Sequence, residues 1–124
     1  EFVLKDFERM QGGEIFIPKI PSMYVTELAK AMAPDLKHEI IGIRPGEKIH
    51  EIMCPSDDSH LTLEFHDHYV ICPSIQFTHE VDFATNAIDE CGVKVEQGHE
   101  YNSGTNSQWL PHEDFLKMVD DVDF

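Results

Sequence analysis

No periodic run in this chain goes far before a glycine or a proline stops it, and that punctuation limits what it can fold into. Val3, Phe7 and Met10 fall at helical spacing, and the stripe halts at Gly12-Gly13. "EIFIPK" reads as a short strand ended by Pro18. "IPSMYVTELAKAMAP" puts Val25, Leu28, Ala29 and Met32 on one helical face, with Ser22 as the expected cap and Pro34 as the stop. "HEIIGI" predicts a second apolar strand that runs into Arg44-Pro45-Gly46, and Lys48 to Met53 predicts a short helix.

The second half changes period. Leu61, Leu63 and Phe65 alternate, then His66-Asp67-His68 turns into "YVI", which predicts a hairpin. "DFATNAIDECG" returns to helical spacing, with Phe83, Ala87, Ile88 and Cys91 inward and Gly92 as the stop. "EYNSGTNSQ" is a polar, turn-rich loop, and Pro111 opens a last helix whose inner face is Phe115, Val119 and Val122. Its acids predict a solvated face and a frayed end. There is no internal repeat. The expected fold is α+β, with short strands and interspersed helices in a single domain over residues 1–124.

Composition narrows the function classes. The chain carries 24 acidic against 9 basic residues, a formal charge of −15. Such a surface repels a phosphate backbone, so neither duplex nucleic acid nor an anionic membrane is an expected partner. No apolar run approaches the length of a membrane span. Cys54, Cys72 and Cys91 are odd in number and widely spaced, which predicts reduced thiols and a cytoplasmic setting. An anionic small molecule stays compatible with this charge if the few cations converge locally.

One of the two arginines stands in "IGIRPGEKIHE". Pro45 fixes its own φ and pushes Arg44 toward an extended conformation, while Gly46 permits a sharp reversal. Arg44 and Glu47 are therefore expected a turn apart at the end of a strand, where ligands of open α/β sheets usually sit. A guanidinium can grip a phosphate with two parallel hydrogen bonds, and a carboxylate can accept from both hydroxyls of a ribose. Spacing alone leaves two readings, a surface turn with an ion pair or a nucleotide-diphosphate clamp.

Four collinear blocks, "RMQGGEIFIPKIPSMYVTELAKAMAP", "IIGIRPGEKIHEIM", "LEFHDHYVICPS" and "EYNSGTNSQWL", resemble the C-terminal part of the inverting UDP-N-acetylglucosamine 4,6-dehydratases. That family lies within the extended short-chain dehydrogenase/reductases and serves bacterial surface-glycan synthesis. The resemblance covers most of the chain except "SIQFTHEVDFATNAIDE" and the last acidic turn. It implies the substrate-binding region of an NADP-dependent lyase, with a UDP-sugar as ligand. It also implies roles: Arg44 on the UDP diphosphate, Glu47 on the uridine ribose, and Lys19, with Ile17 and Pro18, on the uracil side.

The sequence contains none of that superfamily's cofactor machinery. No glycine-rich G-x-x-G-x-x-G turn is present, and Tyr24, Tyr69 and Tyr101 are followed four residues later by Leu28, Pro73 and Thr105, so no Tyr-x-x-x-Lys pair exists. The expectation is a region with no Rossmann domain, no catalytic residue and no NADP of its own, inactive as an isolated chain. A Rossmann-domain partner and, through the apolar surface such a partner would cover, a homo-oligomer are expected. The rival reading is a freestanding, non-catalytic oligomeric module that kept the fold.

Histidine and cysteine offer weaker alternatives. His60, His66 and His68 beside Asp67 have metal-ligand types, but a hairpin turn places neighbouring polar side chains in solvent, which is the preferred reading. The cysteines lack a sequence neighbour that would activate them; Cys91 is expected buried on a helix and Cys72 on a strand. "YNSGTN" either contacts a sugar or orders the turn before the last helix.

Overall fold

The computed structural model describes residues 1–75 and 81–120. They form a mixed α/β arrangement of three α-helices and small antiparallel sheets, as the sequence predicts. Two compact units emerge, each built from two stretches of chain: Glu1–Lys19 with Ile52–Asn102, and Ile20–Glu51 with Ser103–Phe124. Among the described residues no helix is long and apolar enough to cross a membrane.

The first unit holds α1 (Phe2–Arg9), β1 (Ile15–Pro18), β2 (Ile52–Cys54), a 3₁₀ turn (Ser56–Leu61), β3 (Thr62–Glu64), β4 (His68–Ile71), β5 (Val93–Lys94) and β6 (Tyr101–Asn102). Strands β1, β4, β3 and β5 lie in that order in one antiparallel sheet, and β2 pairs with β6 across an irregular register. The predicted hairpin is present, with Thr62 opposite Ile71 and Glu64 opposite Tyr69. Alternation sorts its side chains: Leu63, Phe65, Val70 and Phe83 form one cluster, while Ile17, Tyr69, Cys54 and Tyr101 form another. Pro18 ends β1 as expected from its missing donor.

Helix α1 is present but turned the other way from the sequence expectation. Val3, Phe7 and Met10 are exposed, and the buried residues are Asp6 and Arg9. Arg9 is fully buried and donates to Asp6, to both oxygens of Asp67 and to both oxygens of Glu90. A buried guanidinium without such partners would be prohibitively costly, so the charge network fixes which face turns inward. His68 is also buried rather than solvated, its Nδ1 donating to Asp67 Oδ1 at 2.7 Å. The Phe65 ring stacks on it at 4.6 Å, which removes it from the solvent-facing turn where His66 stays.

"DFATNAIDECG" is not a helix. Asn86 Oδ1 accepts from the backbone N–H groups of Ile88 and Glu90, Ala84 N–H donates to Asp82, and Thr85 bridges Cys91. Local side-chain acceptors outcompete the helical ladder here. Phe83 is buried as expected, but Cys91 is exposed.

The second unit holds α2 (Val25–Met32) and α3 (His112–Asp120), which pack together. Helix α2 follows the expected span, though Tyr24 rather than Ser22 caps it and no side chain serves as the cap. Ser22 instead makes a parallel bridge to Trp109. Helix α3 begins after Pro111 as predicted, with Phe115 half-buried. Val122 and the acidic end lie outside the described residues, as does the side chain of Val119.

"HEIIGI" is not a strand. Among the described residues no hydrogen bond involves Lys37 to Ile43, and Ile40, Ile41 and Ile43 are exposed. Gly42 has φ +80°, which breaks an extended run. Lys48 to Met53 forms no helix either; its end becomes β2. A three-residue strand paired to Tyr101–Asn102 is a tertiary outcome that a local period does not report.

Candidate functional site

The turn Arg44-Pro45-Gly46-Glu47 closes on itself in the second unit. Glu47 N–H donates to the Arg44 carbonyl at 3.1 Å, with Gly46 at φ +83° making the reversal. The Glu47 carboxylate reaches back: Oε2 accepts from the Arg44 backbone N–H at 2.9 Å and Oε1 from Arg44 Nη2 at 3.1 Å. The Arg44 backbone bond first, and its guanidinium second, hold Glu47 below the usual carboxylate range.

Both side chains remain accessible. The Arg44 side chain is 75% exposed and that of Glu47 42%. Only one guanidinium nitrogen is engaged with Glu47, so further N–H donors face outward for an anion. Each Glu47 oxygen accepts one hydrogen bond and retains a lone pair for a hydroxyl. The structure thus brings Arg44 and Glu47 together in a pre-formed, charged pair, which is compatible with both sequence readings of this turn.

Lys19 belongs to the other unit. Its ammonium donates to Glu64 Oε1 at 2.8 Å and to the Phe65 carbonyl at 2.7 Å, and lies 4.9 Å from the Tyr69 ring centre. These contacts tie the end of β1 to the β3–β4 hairpin.

The polar loop that follows β6 orders the second unit. Ser103 and Glu51 exchange two bonds: Glu51 N–H donates to Ser103 Oγ at 3.0 Å, and Ser103 N–H donates to the Glu51 carbonyl at 2.9 Å. Asn106 Nδ2 donates to the Ile20 carbonyl and to Ser22 Oγ. These bonds reach Glu51, Ile20 and Ser22 rather than the turn before the last helix, where Asn106 Oδ1 accepts from Gln108 N–H at 3.1 Å. Sequence reasoning named the loop but not its targets, because its partners lie 52 to 86 residues away.

The first unit contains an open concavity of about 660 Å³ lined by Ser56, Ser59, His60, Lys94 and Gln97, with Asp57 beside them. Among the described residues, His60 Nδ1 bonds to the Asp57 carbonyl and Ser59 Oγ accepts from Gly98 N–H, and no hydrogen bond joins a serine to the imidazole. Among the described residues, no group of three or more His, Cys, Asp or Glu side chains could hold a metal ion.

Comparison with known proteins gives this geometry a context. A family profile described as "Polysaccharide biosynthesis protein" matches residues 1–73. A UDP-N-acetylglucosamine 4,6-dehydratase (inverting) of Campylobacter jejuni subsp. jejuni serotype O:23/36 (strain 81-176) is 58% identical over 120 residues. The match takes in 96% of this chain and 36% of that protein, so the chain spans about a third of the relative's length. A UDP-glucose 4-epimerase of Rickettsia massiliae (strain Mtu5) is 37% identical over 75 residues, 57% of this chain and 22% of that protein. The X-ray structure of Pen from Bacillus thuringiensis superposes with a TM-score of 0.66, covering 94% of this chain and 33% of that one. At 23% identity, that likeness concerns the fold alone.

Proposed function

The chain belongs to the polysaccharide biosynthesis protein family, and from that premise we propose that it is the UDP-gripping region of a sugar-nucleotide 4,6-dehydratase. Arg44 takes the diphosphate and Glu47 the ribose hydroxyls of UDP-N-acetylglucosamine. The observation that carries this reading is the Arg44–Glu47 turn, a closed, accessible pair of opposite charges with unspent donors and acceptors. It is supported by the 58% identity to a protein named for that reaction.

In a whole enzyme, binding energy from the UDP handle positions the sugar for chemistry carried out elsewhere. The 124 residues contain neither the glycine-rich turn nor the Tyr-x-x-x-Lys pair that NADP-dependent oxidation needs, so the proposal gives this chain binding without turnover. Exposed Ile40, Ile41, Ile43 and Ile49 flank the Arg44–Glu47 turn, and the proposal has them covered by the part of the relatives' length that this chain does not span.

Calorimetric titration with UDP tests the reading. Arg44→Ala removes a charge-assisted phosphate bond and is expected to cost about 1.5–3 kcal/mol, more than tenfold in affinity. Equal binding by wild type and variant refutes the clamp.

A further inference from the structure

We infer that Ser103 and Gly104 are positioning residues for the Arg44–Glu47 turn, an inference that deepens the UDP-handle reading and rests on it. Among the described residues, the hydrogen-bonded junction near the turn lies on its C-terminal side. On its N-terminal side, no hydrogen bond among the described residues involves Lys37 to Ile43. On its C-terminal side, only Lys48, Ile49 and His50 separate Glu47 from the two-bond junction between Glu51 and Ser103.

Gly104 completes that anchor. A Cβ built on it would stand 2.7 Å from Cγ of the His50 ring and 2.8 Å from Cδ2 and Nδ1. Real side-chain carbons do not approach that closely, so the absence of a Cβ is what lets the His50 imidazole lie against this backbone. Ser103 thus fixes the backbone at Glu51, and Gly104 accepts the residue before it. The same loop holds the beginning of the excursion, where Ser22 N–H donates to the Gln108 carbonyl and Leu110 N–H donates to the Ser22 carbonyl, each at 2.8 Å. One polar loop therefore grips both ends of the segment that carries α2 and the charged turn. Neither residue needs to touch a ligand for this role; they act through the backbone at His50 and Glu51.

The test uses the 124-residue chain, UDP as the probe, and amide hydrogen exchange as a second readout. Ser103→Ala removes the acceptor for Glu51 N–H and is expected to weaken UDP binding about threefold to tenfold. It is also expected to speed exchange at Glu51 and across residues 44–47. Ser103→Thr keeps the oxygen and restores most of the affinity. In an Arg44→Ala background, Ser103→Ala costs less than it does in wild type, because only Glu47 is left to place. Gly104→Ala displaces the His50 ring and follows Ser103→Ala; if it does not fold, the Ser103 pair decides. If wild type binds UDP and Arg44→Ala does not, while Ser103→Ala binds within about twofold of wild type, the positioning role is overturned and the handle reading stands. A lowered melting temperature with unchanged affinity overturns it equally. If wild type takes no UDP, the handle reading fails and this inference falls with it.

Discussion

At the scale of single residues, Arg9 governs the first unit. Its guanidinium is fully buried, and its charge is met by Asp6, Asp67 and Glu90. Removing the guanidinium leaves the buried Asp6 carboxylate without it, while Asp67 and Glu90, 43% and 34% exposed, keep water and Lys5, so Arg9→Ala is expected to destabilise the fold by about 1–3 kcal/mol in chemical denaturation. The hydrogen bond from Arg9, against a smaller effect of burial, lowers Glu90 to about 2. Burial works against the Asp67 charge, and hydrogen bonds from His68 and Arg9 overcome it, carrying Asp67 well below the ordinary carboxylate range. Both folded-state values are depressed, so both groups bind fewer protons folded than unfolded at moderately acidic pH. The Glu90 contribution is whole above its ordinary value of 4.5 and is lost as pH falls through about 2, and the Asp67 contribution is lost at lower pH still. An acid titration of stability checks this: wild type should lose stability through that window, and Arg9→Ala should show a shallower fall.

At the scale of elements, the sequence was most readable where one period ran cleanly between breakers. Strand β1, helix α2, the β3–β4 hairpin and the start of α3 all follow that logic. It failed where side chains competed with the backbone or where charge outranked apolarity. The Asn86 side chain captures two N–H groups and unmakes a predicted helix, while Arg9 draws α1 onto its charged face and leaves Phe7 outside. The Arg44–Glu47 pairing was legible because Pro45 and Gly46 fix the turn locally. The Ser103–Glu51 junction was not, since 52 residues intervene and neither sequence segment carries a periodic signal. Gly92 shows the same limit: read as a helix stop, it instead lies beneath the Phe65 ring, where an added Cβ would come within 2.5 Å. Overpacking that contact with Gly92→Ala is expected to cost about 1–3 kcal/mol of unfolding free energy, measurable in urea.

At the scale of the whole molecule, large apolar side chains remain in solvent: Val3, Leu4 and Phe7 on α1, and Ile40, Ile41, Ile43 and Ile49 around the charged turn. The account therefore expects the 124-residue chain to self-associate as its concentration rises, despite a formal charge of −15. Sedimentation velocity showing one monomeric species at every concentration would oppose that expectation. The central claim concerns the charged turn, and its most direct test compares UDP with uridine on wild type, Arg44→Ala and Glu47→Gln. If Arg44 holds the diphosphate and Glu47 the ribose, wild type prefers UDP, Arg44→Ala loses that preference while keeping its uridine affinity, and Glu47→Gln weakens both ligands alike. An Arg44→Ala protein that still prefers UDP as strongly as wild type does would contradict the claim.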